Sequence, residues 1–157
     1  MVNITKYRQE KKGGKIYIRS EESPVCPICL SNLKVIGSRD RKATDVDGEQ
    51  QTYVIRRLRC KKCGHVHHEL PDLLIPYKRH CAETFERALA GKGAADTLNY
   101  SLVKRIMGWW KTMFHYFRSV TTALEETCGI NFSKPLKLKE IVRAIVNQHL
   151  WVHTRSV

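Results

Sequence analysis

Two Cys-x-x-Cys knuckles, Cys26-Pro-Ile-Cys29 and Cys60-Lys-Lys-Cys63, stand in this chain with thirty residues between them. Each knuckle turns two sulfurs toward one point, and the intervening segment only has to go out and return. Four thiolates in that pattern form the tetrahedral site preferred by structural Zn²⁺. A lone Cys-x-x-Cys also suits a redox dithiol; the doubled form points to a single structural zinc. Four sulfurs leave no open position for water, so the metal is expected to be a staple rather than a catalyst.

The metal also sets the expected size of the core. A zinc ribbon needs few apolar residues, because ligation replaces much of the burial. The fold expected is α+β. A basic arm covers residues 1–23, a three-stranded antiparallel zinc ribbon covers 24–80, and an all-helical bundle covers 81–157. In the arm only Ile16-Tyr17-Ile18 reads as a short strand, beside Gly13-Gly14. In the ribbon, strands are expected at Leu33–Val35, from Gln51 to Cys60, and from Val66 to Leu70. Asp47-Gly48 marks a tight turn, and Pro71 and Pro76 end the last strand.

Past His80 the hydrophobic period lengthens. Phe85, Ala88 and Leu89 fit a short helix stopped by Gly91 and Gly93. Asp96-Thr-Leu-Asn99 leads into a long one. Leu102, Ile106, Trp110, Met113, Phe117, Val120 and Leu124 recur at intervals of three or four, which predicts a helix from about Tyr100 to Thr127. Asn99 or Ser101 is its expected cap, Gly129 its stop and Gly108 a candidate kink. A last helix follows Pro135. Residues 81–118 then have the layout of a helix-turn-helix whose second helix reads the major groove with Tyr100, Ser101, Lys104 and Arg105, and Lys111 further along. A plain helical hairpin fits the same pattern. Trp109 and Trp110 read as packing residues, and Cys81 and Cys128 as ordinary thiols.

Charge points to the partner. The chain has 28 Lys and Arg against 15 Asp and Glu, a formal net charge of +13, with the excess present in every third of the molecule. Such a surface commonly meets a polyanion, and nucleic acid is the default. Arg39, Arg41, Lys42, Arg56, Arg57, Arg59, Lys61 and Lys62 are the candidate phosphate contacts on the ribbon, with a solvated strand face as the alternative. DNA is favoured over RNA. No run reaches the ~18–20 apolar residues of a membrane span. The thiolate spacing and the absence of a signal-like segment point to the cytoplasm and, with the charge, to the nucleoid.

His65, His67 and His68 flank the second knuckle, but four cysteines already complete a site. His67-His-Glu-Leu-Pro71 also faintly resembles the His-containing strand of zinc-stapled nucleases, which leaves a nuclease as a remote alternative. The runs Cys26-Pro-Ile-Cys29, Leu33-Lys-Val-Ile-Gly-Ser-Arg39, Ile55-Arg-Arg-Leu-Arg-Cys60-Lys-Lys-Cys63-Gly64 and Pro76-Tyr-Lys-Arg79 resemble a family of small bacterial zinc-ribbon proteins. They are more distantly similar to the N-terminal region of insertion-sequence transposases. That resemblance implies DNA binding linked to mobile elements, with Cys26, Cys29, Cys60 and Cys63 as zinc ligands. Glu125, Glu126 and Glu140 cannot supply a transposase nuclease site, so the expected protein binds without cutting. The expected function is that of a transcriptional regulator or an accessory factor of a mobile element. A protein-interaction adaptor or inhibitor, using the aromatic-rich helix at 102–124, is the alternative.

Overall fold

Gly13 and Gly14 have φ of 58° and 72°, the two consecutive positive values that a two-residue hairpin turn requires. They fold the start of the chain into a paired hairpin, not a loose arm. The computed structural model describes residues 1–91, 93 and 97–152. Its strands are β1 (Val2–Ile4), β2 (Tyr7–Lys12), β3 (Lys15–Ser20), β4 (Leu33–Thr44), β5 (Gln50–Cys60) and β6 (Val66–Pro71), followed by helices α1 (Ala82–Leu89), α2 (Tyr100–Cys128) and α3 (Leu138–Asn147).

The expected fold is therefore corrected. The protein is mixed α/β, with one six-stranded sheet followed by three helices, and not a small ribbon followed by a helical bundle. β4, β5 and β6 do occupy the expected stretches, but they are half of a larger sheet. β5 is the hub. β4 pairs with it antiparallel from Leu33↔Cys60 to Thr44↔Gln50. The other edge of β5 serves two partners in succession: β3, parallel, at Tyr53 and Val54, and β6, antiparallel, at Arg57 to Arg59. β1 completes the sheet parallel to β6. Residues 1–23, expected as a basic arm, thus supply three of the six strands.

Two apolar clusters hold the layers. Ile4, Ile18, Tyr53, Ile55, Leu70 and Leu74 pack together as one cluster of the sheet region. Phe85, Ile106, Trp109, Phe117, Ile141 and Ile145 pack between the helices. Each fully buried side chain of this size is worth about 1.5–3 kcal/mol. Trp109 lies edge-on to Phe85 at 5.3 Å and to Phe117 at 5.8 Å, the packing role expected of it. The ammonium of the buried Lys78 stands 4.9 Å from the Trp109 ring centroid, a cation–π contact across the sheet–helix boundary.

α2 runs without a break through Gly108. Asn99 Oδ1 accepts the N–H groups of Ser101 and Leu102, and Gly129 closes the helix at φ 64°. The helix-turn-helix expected at 81–118 is withdrawn. Residues 90–99 separate α1 from α2, whereas that motif uses a turn of about three or four residues. Asp96, part of the expected helix entry, lies outside the described residues.

Glu22 ties the sheet to the last helix. It accepts the N–H groups of Thr5 at 2.5 Å and Lys6 at 2.6 Å, and pairs with Arg143 of α3 at 3.3 Å. Burial alone would raise its pKa. The two N–H groups and the guanidinium outweigh burial and hold the carboxyl below its ordinary value. A depressed carboxyl contributes stability that is present above its unfolded pKa and is lost as pH falls through the folded one. Thermal melts from pH 6 down to pH 3 are therefore expected to show wild type losing stability over Glu22→Gln below about pH 4.5. Parallel melting curves for the two proteins would remove this contribution.

Candidate metal centre and basic face

The two knuckles repeat one hydrogen-bond pattern. In the first, Cys26 N–H donates to Ser31 O at 2.9 Å and Leu30 N–H donates to Cys26 O at 2.8 Å. In the second, Cys60 N–H donates to His65 O at 2.9 Å and Gly64 N–H to Cys60 O at 3.2 Å. Lys61 N–H donates to Asn32 O at 3.2 Å and stitches the two together.

The sulfurs meet between them. Cys26 Sγ is 3.6 Å from Cys63 Sγ, and Cys29 Sγ is 3.4 Å from Cys60 Sγ. All four lie within 4.8 Å of one another and can hold a metal ion. Metal–sulfur bonds of about 2.3 Å in a tetrahedron set the sulfurs about 3.8 Å apart, so the cluster has the right size and the right donors. The site staples the beginning of β4 to the end of β5. The N–H groups of Cys63 and Lys62 point at Cys60 Sγ, each at 3.4 Å. They favour the thiolate and pull its pKa down to about 6.

His67 is not a fifth ligand, and sequence reasoning missed what it does. It is buried on β6 with Nε2 3.4 Å from Cys26 Sγ. Burial, aided by nearby positive charge, pushes the imidazole down to about 4, so it is neutral at pH 7. A neutral imidazole N–H beside a metal thiolate is the outer-shell contact that orients a ligand.

A family model described as a domain of unknown function (DUF6431) matches residues 26–110. The chain belongs to that family. The DUF6431 match opens on the first cysteine of the metal centre and takes in both knuckles, β4 to β6, α1 and the first turns of α2. Strands β1 to β3 and helix α3 lie outside it. No curated protein and no solved structure matches the chain.

Within the DUF6431 region the candidate phosphate contacts separate by strand face. Successive residues of β5 point to opposite sides. Arg56 turns to the face where Glu69 is buried, and forms a two-pronged ion pair with Nε–Oε2 at 2.6 Å and Nη2–Oε1 at 2.5 Å. Arg41 is also engaged, since its guanidinium donates to the carbonyls of Ile75 and Lys78. These two arginines are structural.

Arg57 and Arg59 take the other face. Lys34 lies directly opposite Arg59, and His68 directly opposite Arg57. Arg39 Nη1 comes within 3.5 Å of His68 Nε2. A β-bulge between Val35 and Gly37 shifts the register. The bulge takes up one extra residue, so that Lys34 and Arg39 stay on the face of Arg57 and Arg59. Among the described residues, Lys34, Arg39, Arg57 and Arg59 have no acidic partner within ion-pair distance. Like charges directly across a ladder are destabilising, so the fold itself gains nothing from this face.

Beyond this face, Arg39, Arg41, Lys42, Arg79 and His80, with Asp40, line an open cavity of about 500 Å³ in which basic residues predominate. A neighbouring cavity of about 470 Å³ shares Thr44 and His80 with it and has Asp45, Asp47 and Arg105 in its lining, so the positive character does not extend through it. Burial and the nearby Arg105 both lower the His80 pKa. Lys61 and Lys62 are exposed on the second knuckle, and Tyr100, Ser101 and Lys104 are exposed on the first turns of α2. Lys111 lies elsewhere, beside an apolar cavity with Met107, Trp110 and Phe114. No helix of the described residues is long and apolar enough to cross a membrane.

Proposed function

We propose that this protein is a non-catalytic, zinc-containing DNA-binding protein. It acts as a transcriptional regulator or as an accessory factor of a mobile genetic element. The observation that carries the reading is the exposed face of Lys34, Arg39, Arg57 and Arg59, which repel one another and have no acidic partner. A surface that costs folding energy calls for a ligand that repays it, and a phosphate backbone does. From Lys34 to Arg39 the exposed face runs roughly 15 Å at ~3.3 Å per residue, enough for neighbouring phosphates. Zinc is the metal assigned to the thiolate tetrad, which suits a borderline-soft ion with no geometric demand beyond four ligands. His67 faces Cys26 Sγ and His68 lies 3.5 Å from Arg39, an arrangement that supports binding over cleavage; nicking activity lost on His68→Ala would favour the nuclease alternative. The mobile-element branch rests on the resemblance in the knuckle region alone.

Salt dependence tests the reading. Six phosphate contacts, by Lys34, Arg39, Arg57, Arg59, Arg79 and Arg105, give a slope of log K against log salt near about −5 on duplex DNA. Alanine at Lys34, Arg57 and Arg59 together is expected to flatten the slope by about 3 and to weaken binding roughly 10²-fold at 0.1 M salt. The triple variant should melt no lower than wild type, because it removes repulsion. Failure of the zinc-loaded protein to retain duplex at about 50 mM salt would remove DNA as the ligand. A protein adaptor is the second reading, favoured by the exposed Met107 and Phe114 on α2. A stable hetero-complex formed without nucleic acid would support it.

A further inference from the structure

Leu30 has φ of 57°, in the left-handed region that L side chains avoid. Its side chain is 76% exposed. The matching position of the second knuckle is Gly64, at φ 75°, and the paired hydrogen bonds described above establish the equivalence. Glycine serves that turn without strain, so the knuckle does not ask for leucine. Nor does the core, because the side chain points to solvent. Strain retained at an exposed apolar residue directs attention to a function.

The surroundings indicate the partner. Val25 and Ile28 of the same knuckle are 47% and 43% exposed. The Lys61–Asn32 backbone bond brings Lys61 and Lys62 against this knuckle, and the Lys34–Arg59 rung follows immediately. The acidic groups that precede the knuckle are already paired, Glu21 with Arg8 and Glu22 with Arg143. An exposed apolar turn with exposed cations on the adjoining knuckle and strands complements a ligand that is anionic outside and apolar within, as stacked base pairs are behind their phosphates. Leu30 protrudes, so it suits insertion into a ligand better than reception of one. A metal-stapled turn gives it a rigid base.

We propose that Leu30 is a wedge that enters the minor groove of duplex DNA and opens a base step while Lys34, Arg59, Lys61 and Lys62 hold the flanking phosphates. The proposal rests on the DNA-binding reading above and extends it from backbone contact to deformation. Apolar wedges of this kind unstack a step and kink the duplex by about 20–90°.

The test uses the full zinc-loaded chain and duplexes of about 30 base pairs with a central TA step, the step most easily opened. A fluorescent adenine analogue at that step reports unstacking, and energy transfer between end labels reports the kink. Wild type is compared with Leu30→Gly and Leu30→Asn, both of which suit left-handed backbone. Both variants are expected to keep full metal content and to melt at or above the wild-type temperature. They should keep the wild-type salt slope, yet lose the fluorescence rise and the kink. A rise that persists in Leu30→Asn overturns the wedge. Wild-type binding without a kink also overturns it and leaves the backbone-binding reading standing. No duplex binding by wild type at low salt overturns both together. Binding of an acidic, apolar peptide at this knuckle in place of duplex would assign the surface to a protein partner and overturn the wedge.

Discussion

Serine in place of Cys60 is expected to empty the metal site and unfold the sheet. Ligation and folding are one event for a thiolate tetrad, and structural zinc contributes about 10–16 kcal/mol in small domains at neutral pH. A whole domain has only about 5–15 kcal/mol of net stability. Loss of one sulfur therefore removes more than the fold can spare at the start of β4 and the end of β5. The helices are expected to survive in part, because Phe85, Ile106, Phe117 and Ile141 form a cluster of their own. Metal content by mass spectrometry should fall from about one ion per chain to near zero. Far-ultraviolet circular dichroism should retain helix and lose strand. A variant that kept both its metal and its melting temperature would refute the four-sulfur centre.

Removal of Arg56 is expected to have the next largest effect, and for a reason unrelated to nucleic acid. The Glu69 side chain is fully buried, and Arg56 is its two-pronged partner. Truncation to alanine strands a buried carboxylate, which costs about 3–5 kcal/mol, or roughly 10 °C in melting temperature for a chain of this size. Arg57, one residue on, is exposed, and its alanine variant should stay within about 0.5 kcal/mol of wild type. Replacing the pair together, Arg56→Met with Glu69→Leu, should recover most of the loss, because the buried charge goes with its partner. Differential scanning calorimetry of the four proteins decides the matter. Equal shifts for Arg56→Ala and Arg57→Ala would show that the ion pair is not a structural element.

The chemistry of the metal centre was legible in the sequence because it depends on spacing, which is local. The same holds for α2, whose apolar residues recur at helical intervals and whose ends carry Asn99 and Gly129. The sheet was not legible. β1 finds β6 and β3 finds β5 across long stretches of chain and in parallel, and no local pattern announces such pairings. Gly13-Gly14 was the available sign of the first hairpin, but a polar and basic sequence on either side reads equally well as an arm. The helix-turn-helix expectation failed because two amphipathic segments with glycines between them do not specify the length of the turn. Among the basic residues, sequence gives the charge but not the direction. Arg56 and Arg57 are neighbours in the chain and differ in everything that matters: one neutralises a buried acid and the other faces water.

The bulge between Val35 and Gly37 changes what can be compared among relatives. It takes up one extra residue while Lys34 stays opposite Arg59 on one side of it and Arg39 stays opposite Ile55 on the other. A relative one residue shorter at this point would form a regular ladder with the same side chains on the same faces. A change of length elsewhere in β4 has no such outlet and would turn every residue beyond it to the other side. Where a length change falls, more than its size, is the quantity to tabulate first.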